Sequence, residues 1–422
     1  MSLSPTLSPS ARLFTPVLIG GSLILLINFA LRASFGVFQI PVAETFDWPR
    51  ADFSLAIAIQ NLAWGIGQPI FGALAERWGD RWAIILGAAL YSLGLLMTAV
   101  AQTPGAMQMW EIAVGFGIAG TGFGVILAIV GRAASDDNRS LALGIATAAG
   151  SAGQVVGPPL AEGLLALMPW PQVFMVFAGL VLTTLLFLPM LRSREPASRA
   201  EIEESMGHVL RRAFTDPSYL MIFAGFFSCG YQLAFITAHF PAMITEMCGP
   251  IAPDGGLAAL GITTTSALGA VAISLIGLTN IAGSILAGWL GRKYSRKYLL
   301  AGVYTLRTIA AAWFILTPIT PTTVVVFSLV MGSLWLATVP LTSGLVAYIY
   351  GLRYMGTLYG FVFLSHQLGS FLGVWLGGRL YDAYGDYTIV WWVGVGVGAF
   401  SALIHLPVRE APMGLRPAPV AA

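Results

Sequence analysis

Twelve apolar stretches, each long enough to cross a bilayer as helix, follow one another along the sequence. They fall near 15–40, 52–75, 83–102, 106–131, 140–165, 170–191, 217–246, 264–288, 298–317, 322–350, 355–381 and 387–408. A spanning helix needs about 20 mostly apolar residues, because the hydrocarbon core is roughly 30 Å thick and a helix rises about 1.5 Å per residue. Only 9% of the 422 residues are charged and 57% are hydrophobic. A water-facing surface cannot be built from so few charges, so most of the outside must face lipid. The expected fold is an all-α polytopic membrane protein.

The basic residues orient the spans. With the N-terminus inside, seventeen lysines and arginines fall on the inner side, among them Arg12, Arg77, Arg81, Arg132, Arg139, Arg292, Lys293, Arg296 and Arg353. The outer side receives Arg50, with Arg379 at an outer helix end; Arg32 and Arg307 lie inside spans. This asymmetry predicts both termini in the cytoplasm and a bacterial-type inner or plasma membrane as the location. Met1 to Thr15 lacks a small-residue cleavage site, so the first apolar stretch reads as a retained span rather than a signal peptide. Cys229 and Cys248 stand at either end of one span and are too far apart to pair. No metal-ligand spacing is present, no cofactor is implied, and the near-neutral net charge of +2 gives no nucleic-acid signal.

The least apolar stretch between spans, Arg192 to Asp216, divides the chain into residues 1–191, a cytoplasmic linker 192–216, and residues 217–422, with six spans on each side. Two patterns repeat across that divide. Gly72-Ala-Leu-Ala-Glu76-Arg77-Trp-Gly79-Asp80-Arg81 follows the second span, and Gly288-Trp-Leu-Gly-Arg292-Lys293-Tyr-Ser295-Arg296-Lys297 follows the eighth, 216 positions on. Gly153 and Gly157 of the fifth span return as Gly369 and Gly373 of the eleventh at the same offset. Two unrelated patterns at one offset predict two equivalent six-helix halves.

The 72–81 decapeptide resembles the signature that the major facilitator superfamily carries between its second and third spans, with Glu76 where Asp is usual and Asp80 where Arg is more typical. Gly153 to Pro158 resembles that family's fifth-span motif, although Ala161-Glu162 replaces its later glycine pair. The resemblance covers the whole chain. It implies that family's fold of twelve transmembrane helices in two pseudo-symmetric halves, and alternating access for a small solute. It also implies a cytoplasmic gate of carboxylates and cations drawn from Gly72, Glu76, Arg77, Gly79, Asp80, Arg81, Arg292 and Lys293. A narrower likeness is to the monocarboxylate-porter and oxalate/formate-exchanger branch. It rests on Arg32-Ala-Ser-Phe-Gly-Val-Phe, Gly-Leu-Thr-Asn280-Ile-Ala-Gly-Ser284 and His366-Gln367. In that branch a substrate-binding arginine stands where this chain has Ser284.

Polar groups inside spans are expensive in hydrocarbon and so face the interior or a cavity; each is a candidate. Arg32 shares a helical face with Asn28, and its guanidinium suits a carboxylate; snorkelling to the outer headgroups is the alternative. Asn280 and Ser284 share a face. Arg307 lies mid-span, for binding or for pairing with Tyr304 or neighbouring carbonyls. Glu111, if buried, could carry a proton; otherwise it is hydrated near the outer surface. His366, beside Gln367, is a second proton carrier, a substrate ligand or a helix–helix hydrogen bond. Tyr231, Gln232 and His239 could line the cavity, whereas Gln60, Asn61 and Gln154 suit interhelical bonds.

An intramembrane enzyme would need a constellation of paired carboxylates or a nucleophile and base, and none is present. A sensor would append a soluble domain. The sequence therefore reads as a secondary transporter, working as a monomer among membrane lipids on a small organic anion, with a coupling proton. A drug-efflux porter is the alternative, its aromatic cavity supplied by Trp64, Trp335, Phe361 and Phe363.

Overall fold

Threonines and prolines set where the crossings begin. Thr15, Thr103 and Thr320 each accept a hydrogen bond from the N–H three residues on, and a proline follows each at the first helical position. Asp216 caps the helix that starts at Pro217. Such caps satisfy N–H groups that the helix itself leaves unpaired. The computed structural model describes residues 13–48, 50–191 and 206–413.

Among the described residues twelve long helical elements run in sequence. The first half holds α1 (Pro16–Ser34), α2 (Arg50–Trp78), α3 (Asp80–Ala99), α4 (Pro104–Ala133), α5 (Arg139–Leu165) and α6 (Trp170–Leu191). The second holds α7 (Pro217–Met247), α8 (Thr265–Lys293), α9 (Arg296–Leu316), α10 (Pro321–Tyr350), α11 (Met355–Tyr384) and α12 (Thr388–His405). The first expected span, 15–40, ends earlier as regular helix: a 3₁₀ turn at Phe35–Phe38 leads into a short helix, Gln39–Phe46. The turns following α2, α4, α8 and α10 lie on one face with most of the arginines and lysines, here the basic face. Part of the expected linker, 192–205, lies outside the described residues, as do 1–12; its remainder is the helix Met206–Thr215.

Ten of the twelve elements are apolar enough to cross a membrane by length and composition; α2 and α11 are not. They carry the polar residues Gln60, Asn61, Gln68, His366 and Gln367, and they pack against each other between the halves, as α5 and α8 do. On the outside, Leu186, Leu306, Leu316 and Leu403 are well exposed, as a lipid-solvated surface requires.

The duplication is visible in the packing. In the first half α1 packs on α5, α4 on α2 and α3, and α3 on α6; in the second, α7 packs on α11, α10 on α8 and α9, and α9 on α12. The repeated glycines explain the tightest of these contacts. A Cβ on Gly153 or Gly157 would stand 2.1 Å from the Leu26 carbonyl oxygen or 1.9 Å from that of Ala30 on α1. On Gly369 or Gly373 it would stand 2.2 Å from the Phe227 oxygen or 2.5 Å from that of Tyr231 on α7. One residue type performs one task twice: it lets two backbones touch.

Candidate functional site

Between the halves, at mid-depth, lies a narrow, partly enclosed cleft. Its wall is mostly apolar, with the aromatic rings of Phe29, Trp64, Phe123, Trp335 and Phe363 beside aliphatic side chains such as Leu233, Leu336 and Val339. The polar groups are few: Arg32, Gln154, Thr237, His366 and Ser370.

Arg32 is half-buried. One terminal nitrogen donates to Asn61 Oδ1 at 3.1 Å, and the guanidinium carbon lies 4.8 Å from the centre of the Trp64 ring. Its Nε has no partner, and no carboxylate forms an ion pair with it among the described residues. This cation is therefore held by an amide and a π-face, neither of which neutralises it.

Opposite, on α11, His366 stacks under Phe363 at 4.9 Å between ring centres, and its Nδ1 lies 2.8 Å from Gln367 Oε1. The Gln367 amide donates to the Asn61 carbonyl oxygen at 3.1 Å. Asn61 thus ties the arginine of one half to the histidine pair of the other. Behind this layer Glu111 is buried, accepting from Gln60 at 2.7 Å and Thr98 at 3.2 Å. Of the two readings open for Glu111, hydration at the outer surface is the one the burial corrects.

The remaining expected residues are elsewhere. Asn28 donates to Thr121 on α4 at 2.6 Å and faces away from the cavity. Asn280 donates to Ser151 on α5 at 2.7 Å and accepts from the Leu336 N–H at 2.9 Å, where α10 is interrupted; Ser284 donates to Asn280 at 3.0 Å. Broken backbone at membrane depth needs such a partner. Gln68 does the same for α4, donating to the Ala119 oxygen at 3.1 Å beside the interruption at Gly122. Tyr231, Gln232 and His239 bond to the Val390, Gly394 and Val374 carbonyls and join helices of the second half. Phe361 packs on Phe214, not on the cavity. Arg307 is fully buried within the second half, beside Cys229. Ser370, Thr237 and Phe123 were missed; Ser370 alone carried a signal, one helical turn after His366.

At the basic face the halves are pressed together. Gly72 meets Gly356, and Gly288 meets Ser140 and Gly144, without room for a side chain on either glycine. Glu76 accepts from both the N–H of Thr357, at 3.1 Å, and its hydroxyl. Asp80 pairs with Arg132 at 2.6 Å, and Arg296 with Glu410 at 3.3 Å and with Ser140. Arg77, Arg81, Arg292 and Lys293 are exposed and form no ion pair among the described residues; Lys293 lies over the Trp289 ring. The charged cluster expected from the sequence thus has different cations, Arg132 and Arg296.

Twelve crossings, a duplicated packing scheme and a polar-spotted cavity between the halves define a membrane carrier. The chain belongs to the Major Facilitator Superfamily, whose profile matches residues 21–272, more than half of its length. It is 25% identical to the uncharacterised MFS-type transporter YcxA of Bacillus subtilis (strain 168), over 89% of this chain and 90% of that one. It is 24% identical to monocarboxylate transporter 13 of Bos taurus, over 91% and 88%. Its fold is similar to that of the E. coli fucose:proton symporter FucP, with a TM-score of 0.67 at 15% identity, over 92% of this chain and 97% of the other.

Proposed function

We propose that this transporter carries a small organic anion, a carboxylate, by alternating access, with Arg32 as the cation that binds it. The observation that carries this reading is the guanidinium at the cavity wall with a free Nε and no carboxylate beside it. A cation in that setting attracts an anion, and a guanidinium can hold a carboxylate by two parallel hydrogen bonds. The likeness to monocarboxylate transporters supports it. Glu111 and His366 are the proton carriers, one in each half, and Asn61 with Gln367 links their surroundings.

The basic face is the cytoplasmic one by the positive-inside rule, with both termini on that side of the inner or plasma membrane. The bundles are residues 1–191 and 217–422, the linker is 192–216, and the working unit is a monomer. Glu76 on Thr357 and Arg296 on Ser140 latch the cytoplasmic side across the halves, with Asp80 on Arg132 bracing the first half; the inward-open state requires the two cross-half contacts to part.

A thermal-stability screen of the purified protein in detergent tests the substrate class. Short monocarboxylates raise the melting temperature, and Arg32→Gln weakens the apparent affinity by about 10- to 100-fold, the worth of a charge-assisted hydrogen bond of about 1.5–3 kcal/mol. Unaltered carboxylate stabilisation in Arg32→Gln would refute it. The aromatic wall favours a second reading, a porter of lipophilic drugs; stabilisation by lipophilic cations and none by carboxylates would select it.

A further inference from the structure

Arg307 presents a problem that the carrier mechanism leaves unsolved. It lies halfway along α9 and is 0% exposed, yet no carboxylate pairs with it among the described residues. One terminal nitrogen reaches the Cys229 sulfur at 3.4 Å; Nε and the other terminal nitrogen have no hydrogen-bond partner. Burying a guanidinium with two unsatisfied nitrogens is among the most expensive arrangements available to a protein.

The neighbours share the deficit. The Tyr304 and Tyr359 hydroxyls are fully buried and also lack partners. Tyr304 lies one turn before Arg307 and its ring is 5.8 Å from the guanidinium carbon. Both tyrosines lie within electrostatic reach of the Cys229 sulfur that Arg307 touches. His405 stacks on Tyr304 at 5.2 Å and donates from Nδ1 to the Ser401 oxygen at 2.7 Å, so its Nε2 is an acceptor and stands apart from this set of donors. Clusters of buried unsatisfied atoms mark a missing water or ion.

The chemistry of the donors decides which. Both guanidinium nitrogens can only donate, and the tyrosine hydroxyls are free to donate, so the occupant must accept throughout. Water accepts but leaves the positive charge uncompensated in a low-dielectric interior. An anion answers both demands. Its size is bounded too: Arg307, Tyr304, Tyr359 and Cys229 are all sealed from the central cavity, which excludes an organic acid. We propose that the cluster of buried donors around Arg307 is a second anion site, built into the C-terminal half, that holds a small monovalent anion of the halide class.

The test uses the purified full chain in detergent, exchanged into sulfate buffer, with radioactive chloride as the probe. The expected result is saturable binding of one chloride per chain, competed by bromide. Arg307→Met, which removes the charge but keeps an unbranched stem, weakens it by at least about tenfold. Arg32→Gln leaves it unchanged, so the failure of this site and the failure of the substrate reading are separable. Tyr359→Phe serves if Arg307→Met does not fold, and weakens chloride severalfold. Absence of saturable chloride binding to the wild-type chain would overturn the proposal in favour of water. Chloride binding that survives Arg307→Met or Tyr359→Phe intact, or is lost in Arg32→Gln, overturns it as well.

Discussion

Replacing Glu76 by alanine should open the basic face. The carboxylate spans the two halves, taking the N–H and the hydroxyl of Thr357. That N–H is one of the first in α11, which begins at Met355, so it has no partner within its own helix, and the positive helix end favours the negative charge. A hydrogen bond to a charged acceptor contributes about 1.5–3 kcal/mol. Two would give up to about 6, but Glu76 is only half-buried and solvent screens part of this. A working value of about 2–3 kcal/mol shifts the ratio of closed to open molecules by about 30- to 140-fold. Nitroxides at Trp78 and Arg353, on opposite halves of that face, would report the ratio by electron–electron double resonance, with Cys229 and Cys248 replaced by serine. Glu76→Ala should add a long-distance population at the expense of the short one. A ratio within about threefold of the unmodified pair would show that the carboxylate does not hold the halves together.

Gly157→Ala should lower the melting temperature sharply, since its Cβ would meet the Ala30 oxygen at 1.9 Å, whereas Gly163→Ala, with nothing near, should be neutral or stabilising by up to about 1 kcal/mol. Asn280→Ala strands the Leu336 N–H and should cost about 1–3 kcal/mol, read in thermal unfolding, with substrate affinity retained. Glu111→Gln should abolish transport driven by a pH gradient in proteoliposomes but preserve exchange of labelled for unlabelled substrate, because exchange needs no net proton movement. Preserved gradient-driven uptake in that variant would remove Glu111 from the coupling mechanism.

The fold was written in features that survive any detail of packing: span length, the asymmetry of arginines and the offset of 216. The glycine pairs were legible because touching backbones demand one residue type. The site was less so. Helical spacing says which residues share a face, but not which neighbour that face meets. Asn28 and Arg32 are one turn apart, yet the short amide ends on Thr121 while the long guanidinium extends to the cavity. Asn280 and Ser284 read as ligands because polar groups in spans are rare; their task is to satisfy a broken helix, whose only local cue is Pro340, in the first turn after the break at Trp335. Of the cations in the repeated motif, Arg296 pairs with a carboxylate whereas Arg77 and Arg292 form no ion pair among the described residues, and Arg132, outside the motif, is the partner of Asp80.

The polar residues of α2 explain how site and latch can move as one. Gln60, Trp64, Gln68, Gly72 and Glu76 recur every four residues. A helix turns about 400° in four residues, so this stripe winds by about 40° at each step and about 160° over its length. At one end Gln60 therefore faces Glu111 of its own half, and at the other Glu76 faces α11 of the opposite half. Between them Trp64 covers Arg32, and Gln68 holds the interrupted α4. On the proposed mechanism an anion on Arg32 and a proton on Glu111 would both act on this helix, and Glu76 is carried on the same element. A tilt of α2 that relaxes the Arg32 and Gln60 contacts must then pull Glu76 from Thr357. On the proposed mechanism, ligand and proton need not signal through a chain of side chains; they bias the position of one helix that also carries the latch.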